Sequence, residues 1–250
     1  MTETTSLASA TALGRDVEIA LPSGKTFPAY AATPAGATRG VVVLHEIFGP
    51  QPEIRRVVDR FAASGYAAVA PDLFAHGVRI ACLLRALRAI GRGEGPQIEQ
   101  IAAARAWLGE EAQLGAGSLG VIGFCLGGGL ALAAGRGFGA VSTNYGHIPP
   151  ARVLEASPPV IGCYGELDRS MGPRMARLLE ERLPPETPRE VHLYPEVGHS
   201  LLTDGHHPIA RVFAFGMGIV DFNPAASEEG FRKIFAFFDH HLSLIHISEP

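Results

Sequence analysis

Two spacings of apolar residues alternate along this chain. Residues 40–45 (GVVVLH), 67–70, 119–124 (LGVIGF), 140–143 and 159–164 are short runs, apolar almost throughout and rich in β-branched side chains. Runs of that kind suit strands buried on both faces. Residues 190–194 supply a further strand. Between them the apolar positions fall at helical spacing. In 52–64, Ile54, Val57, Val58 and Phe61 share one face, while Arg55, Arg56, Asp59 and Arg60 surround the other. In 79–90, Ile80, Leu83, Leu84, Leu87 and Ile90 form a stripe expected to face the core, with Arg85 and Arg88 turned away. Residues 96–108, 126–134, 173–183 and 231–241 complete the expected helices. Near the start, 17–21 and 26–32 flank Pro22-Ser23-Gly24-Lys25 and predict an antiparallel hairpin. Strands alternating with helices predict an α/β fold: a mostly parallel central sheet with helices on both faces, entered through that hairpin.

Composition narrows the partners more than the fold. Of 250 residues, 47% are apolar and 18% charged, which suits one globular domain, expected over 14–241 after a flexible segment at 1–13. The net charge is −4 and the arginines are scattered, so no nucleic-acid partner is expected. No apolar run reaches membrane-spanning length, and the first residues lack a secretory pattern, so no membrane partner is expected. Cys82, Cys125 and Cys163 are odd in number and widely spaced, which argues against disulfides or a zinc site and for a reducing cytoplasm. His206 and His207 have no cysteine or carboxylate at ligand spacing, so no metal is expected there. The string LSLIHISEP at 242–250 resembles a translated sequencing adaptor and is set aside from the fold. A monomer or homodimer acting on a small molecule is the expected unit.

Chemistry concentrates at 118–137, which reads as strand, sharp turn and helix. Cys125 sits at the join, with Gly123 two residues before it and Gly127 two after. That is the G-x-nucleophile-x-G elbow, with cysteine in place of the commoner serine. A side chain at either glycine would strike neighbouring backbone, and the helix N-terminus favours thiolate. The bare pattern also fits a buried cysteine in a glycine-rich connection. Glu46, Tyr145, Asp168 and His199 follow other predicted strand ends, so with Cys125 they are expected on one rim of the sheet. The chain order Cys125, Asp168, His199 is that of α/β-hydrolase triads. In such a triad the thiol attacks a carbonyl, His199 carries the proton and Asp168 orients the imidazole. The N–H groups of Leu126 and Ile47 are the candidate oxyanion donors. Singly, Asp168 fits an Asx-turn and His199 a polar loop histidine.

The motifs HEIFG (45–49), PDLF (71–74), GFCLGGG (123–129), GELD (165–168) and EVGHS (196–200) together resemble the dienelactone hydrolase family, or carboxymethylenebutenolidases, over about 17–238. The resemblance implies an α/β-hydrolase fold without a cofactor, acting on lactones or small esters. It also implies the triad Cys125, Asp168 and His199, with Glu46 as the glutamate that helps generate thiolate. Two arginines that clamp the substrate carboxylate in members acting on dienelactone are replaced here, by His76 and Thr203. Neither forms a guanidinium fork, so a neutral ester or lactone is expected in place of dienelactone. His76, Thr203 and Tyr145 are the candidate substrate contacts, with Arg79 or Arg85 as a displaced charge. A non-catalytic small-molecule binder on the same fold, and an acyl-transfer or thioester-processing enzyme, are the alternatives.

Overall fold

The computed structural model describes residues 13–199, 201–203 and 222–242. His206, His207, most of the N-terminal segment and residues 243–250 lie outside the described residues. Eight strands make one sheet: β1 (Arg15–Ala20), β2 (Thr26–Ala32), β3 (Gly40–Leu44), β4 (Ala67–Pro71), β5 (Leu119–Phe124), β6 (Ala140–Asn144), β7 (Val160–Gly165) and β8 (Arg189–Tyr194). Their order is β1-β2-β4-β3-β5-β6-β7-β8. The β1–β2 and β2–β4 pairs are antiparallel, and every other pair is parallel. The expected hairpin is therefore the antiparallel edge of a parallel sheet.

Every residue of β3 through β7 is buried, as their unbroken apolar runs require when helices cover both faces. The helices are α1 (Pro52–Ala63), α2 (Arg79–Arg92), α3 (Pro96–Ala112), α4 (Leu126–Ala134), the short α5 (Ala151–Leu154), α6 (Pro173–Arg182) and α7 (Pro224–His241). Successive strand residues point to opposite faces and split the core in two. Val42 and Leu44 join the layer of α2, α3, α4 and α6, whereas Val41 and Val43 join that of α1 and α7. The register carries strand ends to one rim: Leu44 pairs with Gly123, Phe124 with Asn144, and Gly165 with Tyr194.

Three expectations need correction. The stripe on α2 is only half right: Ile90 is buried and Leu83 packs on the core, but Ile80, Leu84 and Leu87 are 72%, 48% and 48% exposed, and Cys82, Ala86 and Ala89 are buried in their place. Gly129 of α4 lets α2 approach closely, since a Cβ there would meet Ile90 Cδ1 at 2.8 Å. The last helix begins at Pro224, seven residues earlier than expected, where Asn223 caps it by accepting the Ala226 N–H at 3.1 Å. Leu242, set aside with the terminal string, is buried against Gly120 and Gly139.

Candidate active site

Cys125 links β5 to α4 with φ 52°, left-handed backbone that a non-glycine residue adopts only under constraint. A Cβ on Gly123 would lie 2.0 Å from Gly127 O, and one on Gly127 would lie 2.4 Å from Leu44 O and 2.7 Å from His45 O. The glycines thus let the elbow close on itself and lie flat against the end of β3. The Cys125 N–H donates to Asn144 O at 3.0 Å, tying the turn to β6. Asn144, fully buried, returns a bond from Nδ2 to Gly123 O at 3.1 Å. The thiol is held half-buried at the first turn of α4.

Asp168 and His199 come from adjacent strand exits. The Glu166 N–H donates to Tyr194 O and the Leu167 N–H to Val197 O, both at 2.9 Å. A Cβ on Gly165 would strike Gly198 O at 2.2 Å, so the two loops touch through bare backbone. That contact sets Asp168 Oδ2 2.7 Å from His199 Nδ1. The other oxygen, Oδ1, accepts from Ser170 N–H (2.8 Å), Ser170 O–H (2.8 Å) and Met171 N–H (2.9 Å). The turn-forming and histidine-orienting readings of Asp168 are both present, one on each oxygen. Burial raises the Asp168 pKa, but the bond to His199, that residue's charge and these donors together hold it below the usual carboxylate value. Burial lowers the pKa of His199, yet the charge of Cys125, the Asp168 bond and a hydrogen bond with Cys125 raise it well above the usual histidine value. With Nδ1 on Asp168, the ring nitrogen left for Cys125 is Nε2.

Glu46, in the loop after β3, is held by hydroxyls. Its Oε1 accepts from Thr203 Oγ1 at 2.8 Å and from the Tyr145 hydroxyl at 3.3 Å, and those hydroxyls are 2.8 Å apart. Burial, then the Glu46 charge, pushes the Tyr145 phenol well above its usual pKa, so it stays a donor. The Tyr145 ring meets the His199 ring edge-on, with centroids 4.9 Å apart. Tyr145 and Thr203, expected as substrate contacts, are 0% and 1% exposed and turn their hydroxyls to Glu46. His76 is exposed, and its carbonyl accepts from Arg85 Nη2 at 2.7 Å. Arg85 is thereby folded onto its own loop. Arg79 is exposed, with Nη2 3.6 Å from where a Cβ on Gly49 would stand.

The two candidate oxyanion donors lie on backbone brought together by Gly127. Leu126 is the first residue of α4, so its N–H has no intrahelical acceptor. Among the described residues, no hydrogen bond engages the Ile47 N–H. His45, which precedes Glu46, is 1% exposed and was not singled out from the sequence, although it opens the HEIFG motif. No cluster of three metal-ligating side chains occurs among the described residues, and no helix there is long and apolar enough to cross a membrane.

The sequence model of the dienelactone hydrolase family matches residues 27–242. The chain belongs to the dienelactone hydrolase family. A carboxymethylenebutenolidase of Pseudomonas putida is 29% identical over 213 residues, covering 75% of this chain and 86% of that one. A dienelactone hydrolase-like promiscuous phosphotriesterase from metagenomic libraries superposes with a TM-score of 0.74 at 18% identity, covering 92% of this chain and all of the other. The dienelactone hydrolase of Anabaena variabilis superposes at 0.63 with 20% identity and the same coverage. At such identities these two likenesses carry the fold, which is that of the α/β-hydrolases. Membership of the dienelactone hydrolase family supports a hydrolase function.

Proposed function

We propose that this chain hydrolyses small, neutral carboxylic esters or lactones through a thioester on Cys125. The carrying observation is the 2.7 Å bond between Asp168 Oδ2 and His199 Nδ1, in a site where, against the effect of burial, the charge of Cys125 at the elbow raises the pKa of the same imidazole. The Cys125 sulfur attacks the carbonyl carbon, forming a C–S bond while the carbonyl electrons move onto oxygen. That oxyanion is met by the Leu126 and Ile47 N–H groups. Glu46 draws the proton from the thiol when it leaves its two hydroxyl partners, and His199, protonated on Nε2 at rest, gives its Nε2 proton to the leaving alkoxide as the C–O bond breaks. His199 then takes a proton from water, whose hydroxide attacks the thioester, releasing the acid and the thiolate with His199 protonated again; Glu46 returns its proton to the sulfur. Asp168 holds the imidazole in the required tautomer throughout.

The substrate class follows from what stands at positions 76 and 203. His76 is exposed with its carbonyl engaged, and buried Thr203 spends its hydroxyl on Glu46. Neither offers a guanidinium to a substrate carboxylate, so anionic lactones of the kind named by the Pseudomonas putida relative should be poor substrates. The test is a rate panel on p-nitrophenyl acetate, p-nitrophenyl butyrate, a neutral butyrolactone and a dienelactone, with wild type beside Cys125→Ala. Turnover of the neutral compounds, lost by about 10⁴-fold or more in the variant, is expected. Undiminished activity in Cys125→Ala overturns the nucleophile. Efficient dienelactone turnover overturns the substrate class.

A further inference from the structure

The buried His45 is tied at both ring nitrogens, and those ties settle which nitrogen holds the proton. Leu73, at the exit of β4, points its backbone N–H at His45 Nε2, 3.1 Å away. An acceptor there must be unprotonated, so the neutral ring carries its proton on Nδ1. Nδ1 lies 2.7 Å from Glu46 O and therefore donates to it. The surroundings keep the ring neutral: burial lowers its pKa, with Asp72 Oδ1 3.9 Å from Nε2 and the Arg79 charge acting in opposite directions. The Phe74 ring stands edge-on to it, at 4.9 Å between centroids. Glu46 O also accepts the Gly49 N–H at 3.2 Å, which closes the loop as a turn.

Glu46 O belongs to the same peptide unit as the Ile47 N–H. There are no cis peptide bonds among the described residues, so that carbonyl and that N–H point in opposite directions from one plane. Fixing the oxygen fixes the hydrogen. We infer that His45 is a positioning residue for the oxyanion hole: by donating from Nδ1 to Glu46 O, it locks the Glu46–Ile47 peptide with the Ile47 N–H free and turned toward the reacting carbonyl. This rests on the thioester reading above, in which Ile47 supplies one oxyanion donor. The opposite orientation would point a carbonyl into the site, where it would repel the developing oxyanion. A lone turn bond at 3.2 Å resists that rotation less than two bonds do. The tie from Nε2 to β4 keeps the imidazole from turning away.

The two ties can be cut separately. An asparagine amide reaches about where Nδ1 stands and can still donate to Glu46 O, while losing the acceptor for Leu73. A glutamine amide reaches about where Nε2 stands and can still accept from Leu73, while losing the donor to Glu46. The measurements are kcat and KM on p-nitrophenyl acetate, together with the rate of Cys125 alkylation by iodoacetamide. Alkylation needs the thiolate and no oxyanion hole, so the ratio of hydrolysis to alkylation reads the hole on folded sites alone. In His45→Gln the ratio should fall about 10- to 100-fold, through kcat with KM little changed. In His45→Asn it should stay within about threefold of wild type, the conservative variant restoring the function whatever it costs in stability. Equal losses in the two variants, an unchanged ratio in His45→Gln, or a folded His45→Asn that is alkylated but does not hydrolyse would overturn the inference. Should His45→Gln not fold, the His45→Asn ratio decides alone. Failure of the thioester reading itself looks different: Cys125→Ala would then stay active, or wild-type Cys125 would resist alkylation.

Discussion

Replacing Gly127 by alanine tests whether the elbow is built by close backbone approach. In the native chain the added Cβ would stand 2.4 Å from Leu44 O and 2.7 Å from His45 O, both carbonyls at the buried end of β3. Ordinary van der Waals contact begins at 3.4 Å, so the start of α4 and the end of β3 must separate by about 1 Å. Neither side can yield at a side chain, because the obstructing atoms are backbone. Two consequences follow. Overpacking of a filled interior costs about 1–3 kcal/mol of stability. The separation also pulls the Leu126 N–H away from the Ile47 N–H, and about 1 Å of misplacement at a reacting centre costs about 100-fold in rate. The assay pairs urea unfolding with kcat/KM on p-nitrophenyl acetate, measured where the variant is still folded. A variant with wild-type stability and wild-type rate would refute the reasoning, since the steric argument permits neither. Lost stability with full activity would refute the link between elbow position and the oxyanion site.

Two further substitutions probe the groups around the thiol. Asp168→Asn should lower the rate by about 10³–10⁴-fold, because an amide no longer selects the imidazole tautomer. The pair's stability contribution is present above the unfolded aspartate value near about 4 and is lost as pH falls through the depressed Asp168 pKa. On the other side, the raised His199 pKa gives a contribution that is full below about 6.5 and disappears as pH rises through the folded value. Urea unfolding should therefore show the variant's deficit at pH about 5.5 and a smaller one at pH about 9; a deficit that grows with pH would contradict the assignment. Thr203→Val removes the 2.8 Å donor to Glu46 at nearly constant volume and should cost about 1–3 kcal/mol, with KM for neutral esters unchanged. A tenfold rise in KM would return Thr203 to the substrate surface.

What the sequence disclosed tracks how local each constraint is. The elbow was legible because Gly123, Cys125 and Gly127 lie within five residues and the Gly123 clash with Gly127 O is local, although Gly127 itself answers to Leu44 O and His45 O. The Asp168–His199 pairing was legible because parallel strands end on one rim, so residues just after β7 and β8 are neighbours whatever their loops contain. The Glu46–Thr203–Tyr145 cluster was not, since it joins three loops 58 to 157 residues apart and hydroxyl–carboxylate bonds leave no spacing to read. Helix α2 misled in part because its large apolar residues follow helical spacing, whereas the face that packs inward carries Cys82, Ala86, Ala89 and Ile90 and leaves Ile80, Leu84 and Leu87 exposed. The start of α7 was readable in principle: Asn223 followed by Pro224 is an N-cap and first-turn proline pair.

The manner in which Glu46 is held bears on substrate charge. Hydroxyls anchor a carboxylate without neutralising it, whereas an arginine in their place would add a positive charge at the same point. The rim thus keeps the charges of Glu46 and Asp168, balanced in part by a protonated His199. Of the arginines considered for a displaced clamp, Arg85 is folded onto His76 O and the Cys82 sulfur, and Arg79 is exposed over Gly49. An exposed guanidinium contributes about 0–1 kcal/mol to an ion pair, too little to offset approach to two carboxylates across a half-buried thiol. On the proposed mechanism a neutral acyl group meets no such opposition, since its oxygen becomes negative only at the Leu126 and Ile47 N–H groups. Thr203, which offers no guanidinium, supplies the bond that holds Glu46 in place. The proposed preference for neutral substrates and the anchoring of Glu46 therefore rest on one residue.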